Sequence, residues 1–342
     1  MTEILLRPAE QIPEVFVERL QGRENGERAL VTSMTVDFVN NPVVEAMIQH
    51  GVPDDIFAID YRGHEHGFAP IVTKTQGHHE ARAKFEEDFP GQYVVLGEPE
   101  DVGTLRGSLI NRSHIKAKAV GKRILSLGDV NCAPYCFDST IGLMIDFESE
   151  EFMTFLSEFV KSQGNLRGRD RAGESILLTD QSEILIDYGK KGESVILDHL
   201  LQDLERDELV SAKISSSYIP YGQLDALLYS HFKAGKNVTF YSNHPSKFHP
   251  PFHSRAEKWM QVLNSLKAQT QWIDNRPDKF NHLKAAVFVY DNGNKIAYAA
   301  SSTFHPLPIW AGTAEVALRT KDPFLVDEIE SFMVDSLDKT KV

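Results

Sequence analysis

FNHLKAAVFVYDNGNKIAYAASSTF, from Phe280 to Phe304, decides how the rest of this 342-residue chain is read. In an extended strand, residues i and i+2 share a face. His282 and Lys284 therefore point one way, while Leu283, Ala285, Val287 and Val289 point the other. The chain then turns and comes back with Ser301 beside Thr303. A second stretch, RSHIKAKAVGKRILSLGDVNCAP from Arg112, has the same layout. His114, Lys116 and Lys118 lie opposite Ile115, Ala117 and Ala119, and Asp129 returns beside Asn131.

The likeness extends outward. LVTSMTVDFVNNPVVEAMIQHGVPDDIFAIDY from Leu30 and AKISSSYIPYGQLDALLYSHFKAGKNVTFYSN from Ala212 both read as strand, loop, amphipathic helix, glycine stop (Gly51, Gly235) and strand. Downstream, TIGLMIDFESEEFMTFLSEFV from Thr140 and TAEVALRTKDPFLVDEIESFM from Thr313 each run from a strand into an amphipathic helix. Four segments repeated in one order imply an internal duplication. The expected fold is α/β: two repeats related by a pseudo-twofold axis, each a mixed sheet flanked by helices, with the active site between them. The N-terminal repeat spans 1–165 and the C-terminal repeat 176–342. Between them SQGNLRGRDRAGES, residues 162–175, reads as a polar linker loop.

Composition narrows the class. Hydrophobic residues make up 42% and charged residues 25%, enough for a substantial core. A net charge of −13 works against non-specific attraction to phosphate polymers. The N-terminal segment lacks the basic-then-apolar pattern of a secretory signal, and no apolar run reaches the ~18 residues of a membrane span. Cys132 and Cys136 are too few for a disulfide framework, so buried thiols in a cytoplasmic protein are expected.

Two imidazoles and two ammoniums brought together suit phosphoryl transfer. Lysines and small polar groups hold negative oxygens, one imidazole attacks phosphorus, and the other protonates the leaving oxygen. No metal and no cofactor is expected. Both stretches resemble the H-x-K-(x4)-D…G-S-x-N signature of the phospholipase D superfamily, and GTAEVALRTKDP from Gly312 resembles its downstream N-x-E segment. That resemblance implies a phosphohistidine mechanism, with Lys116, Lys284 and Asn131 around the phosphate and Ser301, Thr303 and Asp129 lining it. It also implies that His114 is the nucleophile, oriented across the repeats by Glu315, and that His282 is the acid.

The departures are specific. Gly121 stands where the signature has Asp, Asp129 stands at the Ser position, and Gly142 falls where the first copy would carry its Glu. In the second copy the Asp comes late, as Asp291, a supporting residue at most, and Thr303 replaces Asn. A carboxylate at 129 would repel a phosphate unless it points away or is protonated.

The resemblance implies a phosphodiesterase or phosphatidyltransferase acting on a phospholipid, in peripheral contact with a membrane and without a stable protein partner. A nuclease of the same superfamily and a catalytically degenerate scaffold are the alternatives. His64, His66, His78 and His79 are read as surface loop and helix rather than a metal site. The loop His244–Arg255 either shapes the substrate entrance or is a rigid connector, and Tyr218 either lines the cleft or fills core.

Overall fold

The computed structural model describes residues 3–60, 78–97, 113–166, 169–217, 222–243, 250–265, 269–273, 280–301, 304 and 312–338. Among these, the two halves build sheets of one design. In the first, β4 (Tyr93–Leu96), β3 (Ile56–Asp60), β2 (Ala29–Ser33), β5 (Ala117–Val120), β6 (Arg123–Ser126), β8 (Leu143–Glu148) and β1 (Leu5–Pro8) lie side by side in that order. The second repeats it with β13 (Gln269–Ile273), β12 (Asn237–Asn243), β11 (Leu209–Ser215), β15 (Ala285–Tyr290), β16 (Lys295–Ala300), β17 (Ala314–Thr320) and β10 (Ser182–Tyr188). β9 (Gly173–Thr179) adds an edge to the second sheet, so Gly173–Ser175 of the expected linker are strand.

Strand directions match as well. β2, β3 and β4 run parallel, as do β11, β12 and β13, and the remaining neighbours pair antiparallel in both sheets. The parallel connections need crossovers, and the amphipathic helices Pro42–His50 and Gln223–Lys233 supply two of them. The first of these helices starts where Asn41 accepts from the backbone N–H of Val43 and Val44, with Pro42 in the first turn where no N–H is needed.

Alternation along β5 and β15 decides the packing. Ile115, Ala117 and Ala119 from one repeat share an apolar core with Leu283, Ala285 and Val287 from the other. The helices Glu150–Lys161 and Pro323–Asp338 add Phe152, Phe155 and Phe159 and Val326, Ile329 and Met333 to it. Each buried side chain of this kind contributes about 1.5–3 kcal/mol. Separate clusters lie on the outer face of each sheet. Cys132 and Cys136 are free and buried, with thiols pushed up to about 11 and about 12 by burial. Among the described residues, no helix is long and apolar enough to cross a membrane.

Candidate active site

Each His-x-Lys run sits at a corner ahead of a strand, not within it. β5 begins at Ala117 and β15 at Ala285, each one residue past the lysine. The return strands stop at Ser126 and Ala300, leaving Asp129 and Ser301 beyond their ends. The expectation of residues aligned on a strand face is corrected accordingly. The sheets stop short because the backbone here bonds across to the other half. β14 (Phe280–Asn281) runs parallel to β7 (Thr140–Ile141), and Ser113 bridges to Ala314. His114 N–H donates to Ala314 O at 2.9 Å, and His282 N–H donates to Ile141 O at 3.0 Å. The same reciprocal stitch places both histidines at one interface.

The side chains follow from those corners. His114 Nδ1 donates to Glu315 Oε1 at 2.6 Å, a bond between the repeats. Glu315 Oε2 accepts from Ser301 Oγ, which itself accepts from Val316 N–H at 3.0 Å. His282 Nδ1 donates to the main-chain oxygen of Asp129 at 2.9 Å. Each ring thus commits Nδ1 to a protein oxygen. Lys116 Nζ donates to His114 O at 3.0 Å and Lys284 Nζ to His282 O at 2.7 Å, one arrangement made twice.

Of the remaining sequence candidates, Asn131 is buried, its Oδ1 accepting from Ser33 Oγ and Thr35 N–H, both at 3.4 Å. Lys118 is wholly buried, its Nζ donating to Val130 O at 2.8 Å. Asp291 does not join the site. It occupies an exposed turn at the far end of β15, roughly 20 Å of extended chain from Lys284. Thr303, Tyr218, His64 and His66 lie outside the described residues, as do residues 244–249 of the Pro- and His-rich loop. His78 and His79 open the helix His78–Asp88.

Sequence reading missed the residues that hold the corners from behind. Asp60 Oδ2 accepts from Ser113 N–H at 3.0 Å, and Asn243 Oδ1 accepts from Asn281 N–H at 2.9 Å. Both are the last residues of equivalent strands, β3 and β12. Overlaying AIDY on YSNH in the repeat alignment would have found them.

Burial governs the electrostatics. It lowers Lys284 to about 7 against the raising pull of Asp129, and it also lowers Lys116. Burial raises Asp129 to about 6, opposed by Lys284. His282 is held well below the usual imidazole range, by burial first and then by the charges of Lys284 and Lys116, against the raising effect of its bond to Asp129. Because lysines with lowered pKa carry charge only on the acid side, an anion should bind more tightly as pH falls through about 7. Protonation of Asp129 near 6 adds to this by removing a negative charge. Dimethyl phosphate, a monoanion throughout, should bind about tenfold or more tightly at pH 5.5 than at pH 8.5. Calorimetry showing flat or inverted dependence would contradict this charge assignment.

A duplicated α/β fold that joins two His-x-Lys corners through a shared interface has the architecture of the phospholipase D superfamily, and this chain adopts that fold. Its fold matches the phosphatidylserine synthase of Haemophilus influenzae Rd KW20 with a TM-score of 0.68, at 11% identity over 99% of this chain and 85% of that one. Yeast tyrosyl-DNA phosphodiesterase matches with a TM-score of 0.55, at 9% identity over 93% of this chain and 90% of that one. The polyphosphate kinase of Porphyromonas gingivalis matches with a TM-score of 0.58, at 10% identity over 99% of this chain but 50% of that one. No family model and no curated protein sequence matches.

Proposed function

We propose that this protein is a phosphodiesterase of the phospholipase D type that works through a phosphohistidine. The observation that carries this reading is the reciprocal stitch, which gathers His114, His282, Lys116 and Lys284 at one interface, with Glu315 bonded across it to His114. Glu315 fixes the tautomer of His114 and makes Nε2 a better nucleophile. Nε2 attacks phosphorus, the P–O bond to the leaving group breaks, and the departing oxygen takes a proton from His282. Water or an alcohol then attacks phosphorus, forming a new P–O bond and giving its proton to His282 as the P–N bond to His114 breaks. Lys116 and Lys284 offset the charge that spreads over the phosphoryl oxygens.

His282 starts neutral, because burial and the two lysine ammoniums keep its proton off. A bound phosphodiester anion reverses that balance, so the acid is charged on substrate binding. A scaffold role fits poorly, since nothing structural requires two buried ammoniums at one interface. The substrate we infer is a phospholipid. The overall charge of −13 suits it better than a nucleic acid, and the matched phosphatidylserine synthase is similar over nearly the whole chain.

Phospholipid vesicles, single-stranded DNA and RNA, and bis(4-nitrophenyl) phosphate form the test, each with and without an alcohol acceptor. Lipid turnover exceeding nucleic acid turnover is expected. Turnover confined to nucleic acid and falling steeply with salt would favour the nuclease reading. Inertness toward all of them would overturn the enzymatic one.

A further inference from the structure

Around the site the two halves repeat one pair of hydrogen bonds with different residues. In the C-terminal half, Ser301 N–H donates to Val316 O at 2.9 Å and Val316 N–H donates to Ser301 Oγ at 3.0 Å. In the N-terminal half, Asp129 N–H donates to Leu143 O at 3.1 Å and Leu143 N–H donates to Asp129 Oδ1 at 3.0 Å. Asp129 therefore stands where Ser301 does and Leu143 where Val316 does, which puts Gly142 in the place of Glu315. The histidine stitches give the same register independently, since Ala314 precedes Glu315 and Ile141 precedes Gly142.

The N-terminal half has thus exchanged a Ser–Glu pair for an Asp–Gly pair, and the two changes share one space. A Cβ on Gly142 would lie 2.8 Å from Asp129 Oδ1, so this carboxylate requires the glycine. A Cβ on Gly128 would fall 1.8 Å from Leu143 O, so the approach of the two segments needs that glycine too. With Oδ1 held by Leu143, Oδ2 is buried and has no hydrogen-bond partner among the described residues. It lies 3.7 Å from both His282 Nδ1 and Lys284 Nζ. Leaving a carboxylate oxygen in this state costs stability, which packing alone does not explain.

We propose that Asp129 is the positioning residue for His282, one residue doing at the serine position, through its main-chain oxygen and its carboxylate, what Ser301 and Glu315 do jointly for His114. The inference rests on the phosphoryl-transfer reading above. The Asp129 main-chain oxygen orients the ring, and its carboxylate is the negative charge on the Nδ1 side of the imidazole. Opposing it are Lys284 and Lys116, which drive the proton off His282, while His114, Lys118, Cys136, Glu315 and Asp60 are further titratable groups of the cluster. When a substrate anion offsets the cations, the Asp129 charge favours the imidazolium that protonates the leaving oxygen.

The test combines a titration with kinetics. Asp129→Asn keeps the shape and the bond from Leu143 N–H but removes the charge. In the presence of dimethyl phosphate, NMR should place the His282 titration about one pH unit or more lower in Asp129→Asn than in the unaltered protein. Turnover of a dialkyl phosphodiester should fall about 100-fold, and that of bis(4-nitrophenyl) phosphate, whose leaving group needs no proton, much less. Asp129→Ser with Gly142→Glu rebuilds the pair found in the other half and should recover activity, while Gly142→Glu alone should not. The proposal is overturned by an unchanged His282 titration, by equal losses on the two substrates, or by a folded double variant no better than Asp129→Ser alone. If the unaltered protein turns over no diester, the functional reading falls while the titration still decides the role of Asp129.

Discussion

His114→Ala is expected to cut diester turnover by ~10⁴-fold or more and to leave no covalent phosphoenzyme, because it removes the attacking nitrogen itself. His282→Ala should slow turnover of alkyl diesters comparably, yet still give a burst of nitrophenolate and a phosphorylated protein from bis(4-nitrophenyl) phosphate. The difference arises from the two ring environments. His114 is backed by a carboxylate at 2.6 Å, whereas His282 is backed by a neutral carbonyl at 2.9 Å, with the Asp129 carboxylate further off at 3.7 Å and Lys284 and Lys116 lowering its affinity for a proton. On the proposed mechanism the first ring is the nucleophile, and the second gains and loses a proton with the charge of its ligand. Intact mass after an alkaline quench reads the adduct directly. An adduct on His114→Ala and none on His282→Ala would exchange the two roles.

The second large effect is on stability. On the outer face of the second sheet, Arg319 grips Asp203 through Nε at 2.8 Å and a terminal nitrogen at 3.1 Å, and reaches Glu183 at 2.8 Å. Tyr298 donates its hydroxyl to the same Asp203 carboxylate at 2.6 Å. Arg319→Met would leave Asp203 buried with only part of its compensation, at a cost of about 3–5 kcal/mol. Urea unfolding should show a lower midpoint at unchanged slope. Asp203→Asn in the same chain should return part of the loss, because an amide tolerates the site better than an orphaned carboxylate. A loss below about 1 kcal/mol in the single variant would mean that Arg206, which also donates to Asp203, suffices without Arg319.

The repeat structure was open to reading because hydrophobic periodicity is local. A two-residue alternation marks β5 and β15, a glycine stop ends each crossover helix, and the same order occurring twice needs no tertiary knowledge. The expectation that His114 and His282 meet followed from that repeat. Strand ends were harder: the corners at Lys116 and Lys284 leave their sheets because backbone donors find partners in the other half, and such partners are invisible along one chain. Asp291, expected at most to support the site, lies away from it for a related reason. It follows its lysine in order, but a strand rises about 3.3 Å per residue, and that carries it out of reach.

Residue order alone was enough to indicate a duplicated α/β protein carrying one His-x-Lys run per copy, because periodicity and repetition are properties of the string. Which carboxylate serves which ring was decided only when the copies met. Glu315 and His114 are 201 positions apart, and Asp129 and His282 are 153 apart. No spacing rule links residues so distant; hydrogen bonds across the interface do.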